Sequence, residues 1–320
     1  MKIGFWGTPP HAAGVLDVLL NSEFEVKVVY TGPDREMGRG RSVKMSPVKR
    51  MALENDLPVF QPEALTKPGV VESLRDAGVD LCVVAAYGQI LPRRLLDVPS
   101  FGFLNIHPSL LPKYRGASPV ASAILREEET TGVSIMAIEK NVDAGPILAQ
   151  EEVVINALET AETLTNRLFI LGASLLVKVL PPWVAGSLEL TDQNASMATY
   201  TKKFEKKDGK IQWGNPAHEI YARLRAFSPW PGVYTYWQGR ILKIIEAYVI
   251  DYECHERPGA VITLDRDRKT IGVCTGRGVL VLSKVRLEGR RDTDIWSFAQ
   301  GHPAFVGSIL NGETLGRAEA

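Results

Sequence analysis

Cysteine is scarce in this chain: three in 320 residues, Cys82, Cys254 and Cys274, with no CxxC pair among them. Such spacing argues against a disulfide framework and against a structural zinc, and it fits a reducing compartment. Long apolar runs are missing as well. None reaches the roughly 18 residues that a membrane-spanning helix needs, and the opening Met1-Lys-Ile-Gly-Phe-Trp-Gly7 has no signal-peptide hydrophobic region. A cytoplasmic protein without membrane attachment is the expectation. Net charge is absent too, 37 Lys+Arg against 37 Asp+Glu, which for the whole chain argues against a nucleic-acid partner. Two nucleotide fingerprints are lacking. The first strand-to-helix turn, Gly4-Phe-Trp-Gly7-Thr-Pro-Pro10, has no G-x-G-x-x-G, and Thr31 rather than an acidic residue closes the next strand. That argues against a nicotinamide dinucleotide. No Walker loop occurs either.

What is present is an ordinary globular composition, 45% apolar and 23% charged, long enough for two domains. The first 110 residues alternate strand and helix. Lys2–Gly7, Glu25–Thr31, Leu81–Ala86 and Phe101–Ile106 read as strands, Pro9–Leu20 and a stretch from near Pro92 as helices. The continuous apolar run Leu81-Cys-Val-Val-Ala-Ala86 marks a central parallel strand buried on both faces. This rhythm predicts a doubly wound, mostly parallel, Rossmann-like sheet, whose ligands bind beyond the carboxyl ends of its strands. Gly132–Ile138 and Ile147–Ile155 follow as strands. Thr160–Leu180 reads as a long helix with Leu164, Leu168, Leu171, Leu175 and Val179 in its stripe, ended by Pro181-Pro182. The polar stretch 190–205 reads as a linker. Beyond a helix starting at Asn215-Pro216, short strand-like runs predict a small barrel: Val233–Trp237, Ile241–Ile250, Ala260–Leu264, Thr270–Cys274 and Val279–Val285. The balanced charge hides a split. Residues 206–320 carry 17 Lys+Arg against 13 Asp+Glu, leaving 20 against 24 for residues 1–205. A tail that touches phosphates is compatible with that division.

The chemistry-bearing set is Asn105, His107 and Asp143. Asn105 and His107 sit two apart at the end of an apolar strand, so amide and imidazole share a face. The run Ser109-Leu-Leu-Pro112-Lys-Tyr-Arg115-Gly116 then stops that strand from continuing, and Asp143 lies in the turn-like Asn141-Val-Asp143-Ala-Gly145-Pro146. An amide donor for an oxyanion, an imidazole to move a proton and a carboxylate to set the imidazole's charge suit acyl transfer. No cysteine lies near enough to make a thioester the obvious route.

Asn105-Ile-His107-Pro-Ser-Leu-Leu-Pro112, Arg115-Gly116-Ala117 and Asp143-Ala-Gly145 together resemble the signature of the 10-formyltetrahydrofolate-dependent formyltransferases. Further stretches resemble the branch of that family acting on initiator methionyl-tRNA. These are Gly7-Thr8-Pro9, Pro33-Asp34-Arg35 with Gly38-Arg39-Gly40-Arg41 and Ser46-Pro47-Val48-Lys49, and Ala86-Tyr87-Gly88 with Ile90-Leu91-Pro92. In the tail they are Ile211-Gln-Trp213 and Arg225-Ala-Phe-Ser-Pro229-Trp230-Pro231-Gly232. Pro108 departs from that branch, where many members have glycine, and resembles the hydrolase domain of formyltetrahydrofolate dehydrogenase. A hydrolase and a transferase acting on an amino-sugar nucleotide therefore stand as alternatives.

The resemblance implies 10-formyltetrahydrofolate as formyl donor, no metal, charged initiator tRNA as acceptor and a role in translation initiation. It implies a catalytic domain over 1–189, a linker over 190–205 and an OB-like tRNA-binding domain over 206–320. Asn105, His107 and Asp143 are its expected catalytic residues. Tyr87, Gly88, Ile90, Leu91, Ser109, Leu110, Leu111, Pro112 and Val142 are expected around the folate. Arg35, Arg39, Arg41, Lys44 and Lys49, with Lys203, Lys206 and Lys207, are expected on the RNA. A monomer is the expected state.

Overall fold

The computed structural model describes residues 1–37 and 42–310. The chain runs through strand β1 (Lys2–Gly7), helix α1 (Pro10–Leu20), β2 (Glu25–Tyr30), the antiparallel pair β3 (Arg35–Met37) and β4 (Ser42–Lys44), and α2 (Pro47–Glu54). Next come β5 (Val59–Phe60), α3 (Val70–Asp76), β6 (Leu81–Ala85), α4 (Arg93–Leu96) and β7 (Phe103–His107). They are followed by β8 (Arg115–Gly116), α5 (Pro119–Leu125), β9 (Thr130–Ala137), β10 (Ile147–Val154), α6 (Ala161–Val184) and β11 (Tyr200–Thr201). Contacts divide the chain into two compact units, one of 1–119, 130–154 and 163–202, the other of 120–129, 155–162 and 203–320.

The first unit is built on a sheet of order β10-β9-β7-β6-β1-β2-β5. Pairings from β7 through β5 are parallel, while β9 and β10 run antiparallel at one edge. Every residue of β6 is buried, as a strand covered on both faces requires. It ends one residue before the predicted boundary because Ala86 turns left-handed, φ 49°. β7 begins after Gly102 (φ 68°) rather than at Phe101, and extends to His107. The sequence order reverses between β1 and β6, so Gly7 and Ala85 end their strands at the switch point where such sheets take ligands, and His107 ends the next strand, β7. Trp6 stacks on Tyr30 at 3.9 Å between centroids and meets Tyr87 edge-on at 5.1 Å in the core beneath.

Helix α6 corrects two expectations. Pro181 and Pro182 lie inside it rather than ending it. The prolines lack N–H donors, but their own carbonyls accept from Ala185 N and Ser187 N at 3.0 Å each, so the last turn continues. Trp183 Nε1 anchors that turn on Phe101 O at 3.2 Å. The buried stripe is Leu164, Leu168, Phe169, Ala173, Leu176, Val179 and Leu180, with Leu171 and Leu175 only half-buried. By length and apolar content alone the helix could cross a membrane, yet its stripe packs on the sheet. A Cβ on Gly172 would stand 2.5 Å from Ile106 Cγ2 and 2.8 Å from Val133 Cγ2, so the glycine lets α6 lie flat against β7 and β9.

One half-buried titratable group in this unit gives a pH expectation. His11, near the start of α1, packs on Phe169 with centroids 4.5 Å apart, and burial lowers its pKa from 6.5 to about 4. Between those values the unfolded chain binds a proton that the folded chain refuses. The His11 contribution is therefore complete above pH 6.5 and is lost as pH falls towards about 4. Wild-type protein should lose more unfolding free energy than His11→Gln between about pH 7 and 4.5 in urea titrations. Parallel losses would contradict this.

The second unit carries α7 (Ala217–Ala226) and strands β12 (Val233–Trp237), β13 (Arg240–Ile250), β14 (Val261–Asp265), β15 (Thr270–Cys274) and β16 (Val279–Leu287). β17 (Thr293–Asp294) and α8 (Ile295–Gly301) complete it. The sheet is antiparallel, of order β12-β13-β16-β15-β14 with β17 on β16. Its short antiparallel strands agree with the expected OB-like domain; among the described residues the hydrogen-bonded path itself is open. Trp213 is a core anchor, 5% exposed, whose Nε1 donates to Thr235 Oγ1 at 3.0 Å. Pro216, not Asn215, occupies the cap of α7. The structure also corrects the reading of the cysteines. Cys254 and Cys274 form a disulfide with Cα atoms 5.9 Å apart. Strand pairing in space brings them together, which sequence spacing does not reveal. Cys82 remains a free thiol, pushed up to about 12 by burial.

Candidate active site

β7 puts the predicted pair on one face. The Asn105 backbone is held between Val84 of β6 and Met136 of β9, and His107 stands opposite Ser134. Asn105 is half-buried and His107 is 4% exposed. The imidazole has a defined tautomer. Its Nε2 lies 3.0 Å from Tyr114 O, a carbonyl that can only accept, so Nε2 carries a proton. Tyr114 is left-handed (φ 61°), a conformation a bulky residue keeps only when its surroundings impose it. Its N–H donates to Thr199 Oγ1 at 2.8 Å. With Nε2 committed, Nδ1 is the nitrogen that exchanges a proton, and Asp143 Oδ2 stands 3.7 Å from it. That is ion-pair range rather than a formed hydrogen bond.

Asp143 is itself left-handed, φ 50°, as a short polar side chain tolerates. Its Oδ2 accepts from Gly116 N at 2.8 Å. Gly145 closes the turn where a Cβ would come within 2.0 Å of Ala137 O. The loop can therefore lie on the end of β9 only with glycine there. So the structure brings together His107 and Asp143, which lie far apart in sequence, together with Gly116 of the motif between them.

The residues expected around folate divide into two sets. Ser109 is fully buried, its hydroxyl donating to Lys113 O at 2.7 Å, and Leu111 packs with Met136 and Ile147. Tyr87 is a core residue, 6% exposed. Leu110, Pro112 and Leu91 are half-buried, and Gly88 is exposed. Ile90 (78% exposed) and Val142 (54%) are the large apolar side chains left uncovered on the loops after β6 and β9. Sequence reasoning missed the support under the 109–112 turn. Ser134 Oγ accepts from Leu111 N at 3.1 Å and donates to Ser109 O at 2.6 Å, while Gln150 Nε2 donates to Leu111 O at 2.9 Å.

Of the residues expected on RNA, Arg39 and Arg41 lie outside the described residues. Arg35 and Lys44 pair across β3 and β4, both exposed. Lys49 is engaged within its own unit, its Nζ 2.5 Å from Asp34 Oδ2, and Gln61 donates to the other oxygen of that carboxylate at 2.8 Å. Those contacts hold the Asp34 carboxyl below its ordinary pKa. Lys203, Lys206 and Lys207 are exposed in the second unit, Lys207 within 2.8 Å of Glu205.

A family model for formyl transferase matches residues 1–180, and one for the formyl transferase C-terminal domain matches 203–303. The chain belongs to the formyltransferase family. This formyltransferase is 46% identical over 291 residues to the methionyl-tRNA formyltransferase of Chloroflexus aggregans, covering 91% of the chain and 94% of that relative. It is 42% identical to the methionyl-tRNA formyltransferase of Methylococcus capsulatus, over 97% of the chain and 99% of the relative. Among solved structures it is similar to HypX from Aquifex aeolicus in complex with tetrahydrofolic acid. That match has a TM-score of 0.66 at 16% identity and covers 96% of this chain but 48% of HypX. At that identity the likeness concerns the formyltransferase fold alone.

Proposed function

We propose that this protein transfers the formyl group of 10-formyltetrahydrofolate to the α-amino group of methionine on initiator methionyl-tRNA, for translation initiation. The observation that carries this reading is the near full-length identity, over both units, to relatives named for that reaction. Ile90, exposed on the loop after β6, and Val142, exposed next to Asp143 in sequence, are apolar side chains suited to a flat folate ring. When bound, the folate supplies a formyl carbon joined to its N10.

Asn105 donates its amide N–H to the formyl oxygen, where negative charge develops as the amine attacks. His107, its ring fixed by the Tyr114 carbonyl, offers Nδ1–H as a second donor when protonated, with Asp143 as counter-charge. Asp143 takes the proton released by the amine, directly or through a water, and returns it towards N10. One C–N bond forms, the bond to N10 breaks, and the proton ends on the leaving nitrogen.

Arg35, Lys44, Lys203 and Lys206, exposed cations in the two units, contact the RNA phosphates. Residues 1–189 form the catalytic domain, 190–205 the connection, in part built into the first unit, and 206–320 the tRNA-binding domain. The protein works as a monomer in the cytoplasm, where initiator tRNA is charged and used. The test supplies 10-formyltetrahydrofolate with charged initiator tRNA, uncharged tRNA, an amino-sugar nucleotide or no acceptor. Transfer should occur with charged tRNA alone. Formylation of the sugar, or folate hydrolysis without acceptor, would replace this reading.

A further inference from the structure

We propose that Gln193 is a positioning residue for formyl transfer, acting through Asp143 by clamping the backbone of the loop that carries it. The inference rests on the role given to Asp143 above. Gln193 lies in the polar stretch after α6, 50 residues beyond the carboxylate. Its Nε2 donates to Asp143 O at 3.0 Å and to Gly145 O at 2.7 Å. Its Oε1 accepts from Arg115 twice, from Nε at 3.0 Å and Nη2 at 2.7 Å. The Arg115 side chain is almost fully buried and also reaches Tyr200 OH at 3.4 Å. Arg115 immediately precedes Gly116, whose N–H holds the Asp143 carboxylate at 2.8 Å.

These bonds close a ring from the Asp143 carboxylate to Gly116 N, along the chain to Arg115, through its guanidinium to Gln193, and back to the Asp143 carbonyl. Locally, Ala137 N to Pro146 O at 3.0 Å closes the base of the loop, and at its tip Ala144 N reaches Asn141 O only at 3.4 Å. Neither bond reaches the carbonyl of the left-handed Asp143, which accepts instead from the distant amide of Gln193. The polarity of the ring demands that amide. Two carbonyls on one side need a donor, and a guanidinium on the other needs an acceptor. Glutamate keeps the Arg115 contact and strengthens it, but its second oxygen confronts two carbonyl oxygens with no hydrogen to give. The loop must then shift, and a displacement near 1 Å at a catalytic group costs about 100-fold in rate.

The experiment measures formyl transfer by the full chain, in steady state and single turnover, for Gln193→Glu and Gln193→Ala. Each variant is made in the wild-type and in the Asp143→Asn background. In the wild-type background kcat should fall about 100-fold for Gln193→Glu, with KM for charged tRNA and for 10-formyltetrahydrofolate changed by less than about two-fold. In the Asp143→Asn background the same substitution should change kcat by less than about two-fold, because its effect passes through the missing carboxylate. Equal losses in both backgrounds, or wild-type kcat in Gln193→Glu, would overturn the positioning role while leaving Asp143 its place. Asp143→Asn with wild-type turnover would instead remove the reading of Asp143, and the Gln193 proposal with it.

Discussion

Asp143→Asn should lower kcat for formyl transfer by about 10³-fold, the scale of a lost general acid–base group, while leaving the melting curve in place. Asparagine is the informative replacement because it preserves the shape of the site. Its amide oxygen still accepts from Gly116 N, now 2.8 Å from Oδ2, and the backbone carbonyls held by Gln193 are untouched. What disappears is the charge facing His107 Nδ1 at 3.7 Å and the base that receives the amine proton. Alanine also removes the acceptor for Gly116 N, so its effect mixes chemistry with a displaced loop. Single-turnover formylation with saturating charged tRNA isolates the step, and both KM values should hold. A kcat within about tenfold of wild type would assign proton transfer to another group.

The sheet was legible because burial writes itself into apolar runs. β6 is buried at every position, and its short apolar run, rich in valine, reads as a central strand. The pairing of Asn105 with His107 on one face was legible from the period of two alone. Asp143 could be named as a candidate, but not the atoms around it, since its partners Gly116 and Gln193 come from two separate stretches of chain. Gln193 carried no signal: in Thr191-Asp-Gln193 it has neither the spacing of an element nor the residue type of a catalyst. The stretch read as a linker is in part built into the first unit, where Tyr200–Thr201 pairs with Arg115–Gly116. A connection that supplies hydrogen bonds looks like any polar loop until its partners are known. The packing of Tyr87 was not legible either: its place in a motif suggested a ligand contact but not that its ring lies edge-on to Trp6 in the core. The bond between Cys254 and Cys274 was hidden for the same reason as Gln193, because only strand order brings the two together.

Asn105 tests the electrostatic half of the mechanism. Removal of a single donor aimed at a developing oxyanion costs about 10²–10³-fold in kcat, so Asn105→Ala should fall in that range. The backbone of residue 105 is fixed by its neighbours Val84 and Met136, and a change of side chain leaves that register intact. Alanine alone cannot tell a catalytic donor from a polar residue whose loss unsettles the strand end. Asn105→Asp can. Aspartate has nearly the same shape, but presents an acceptor and a negative charge where the reaction itself develops negative charge. Coulomb repulsion across a few ångströms in a partly desolvated site then adds to the lost donor. The expected order of kcat is therefore wild type, then alanine, then aspartate, with all three proteins folded by circular dichroism. Aspartate matching or exceeding alanine would mean that residue 105 supplies polarity without donating to the formyl oxygen. His107 would then be left as the donor, with the Tyr114 carbonyl fixing its ring and Asp143 supplying its counter-charge.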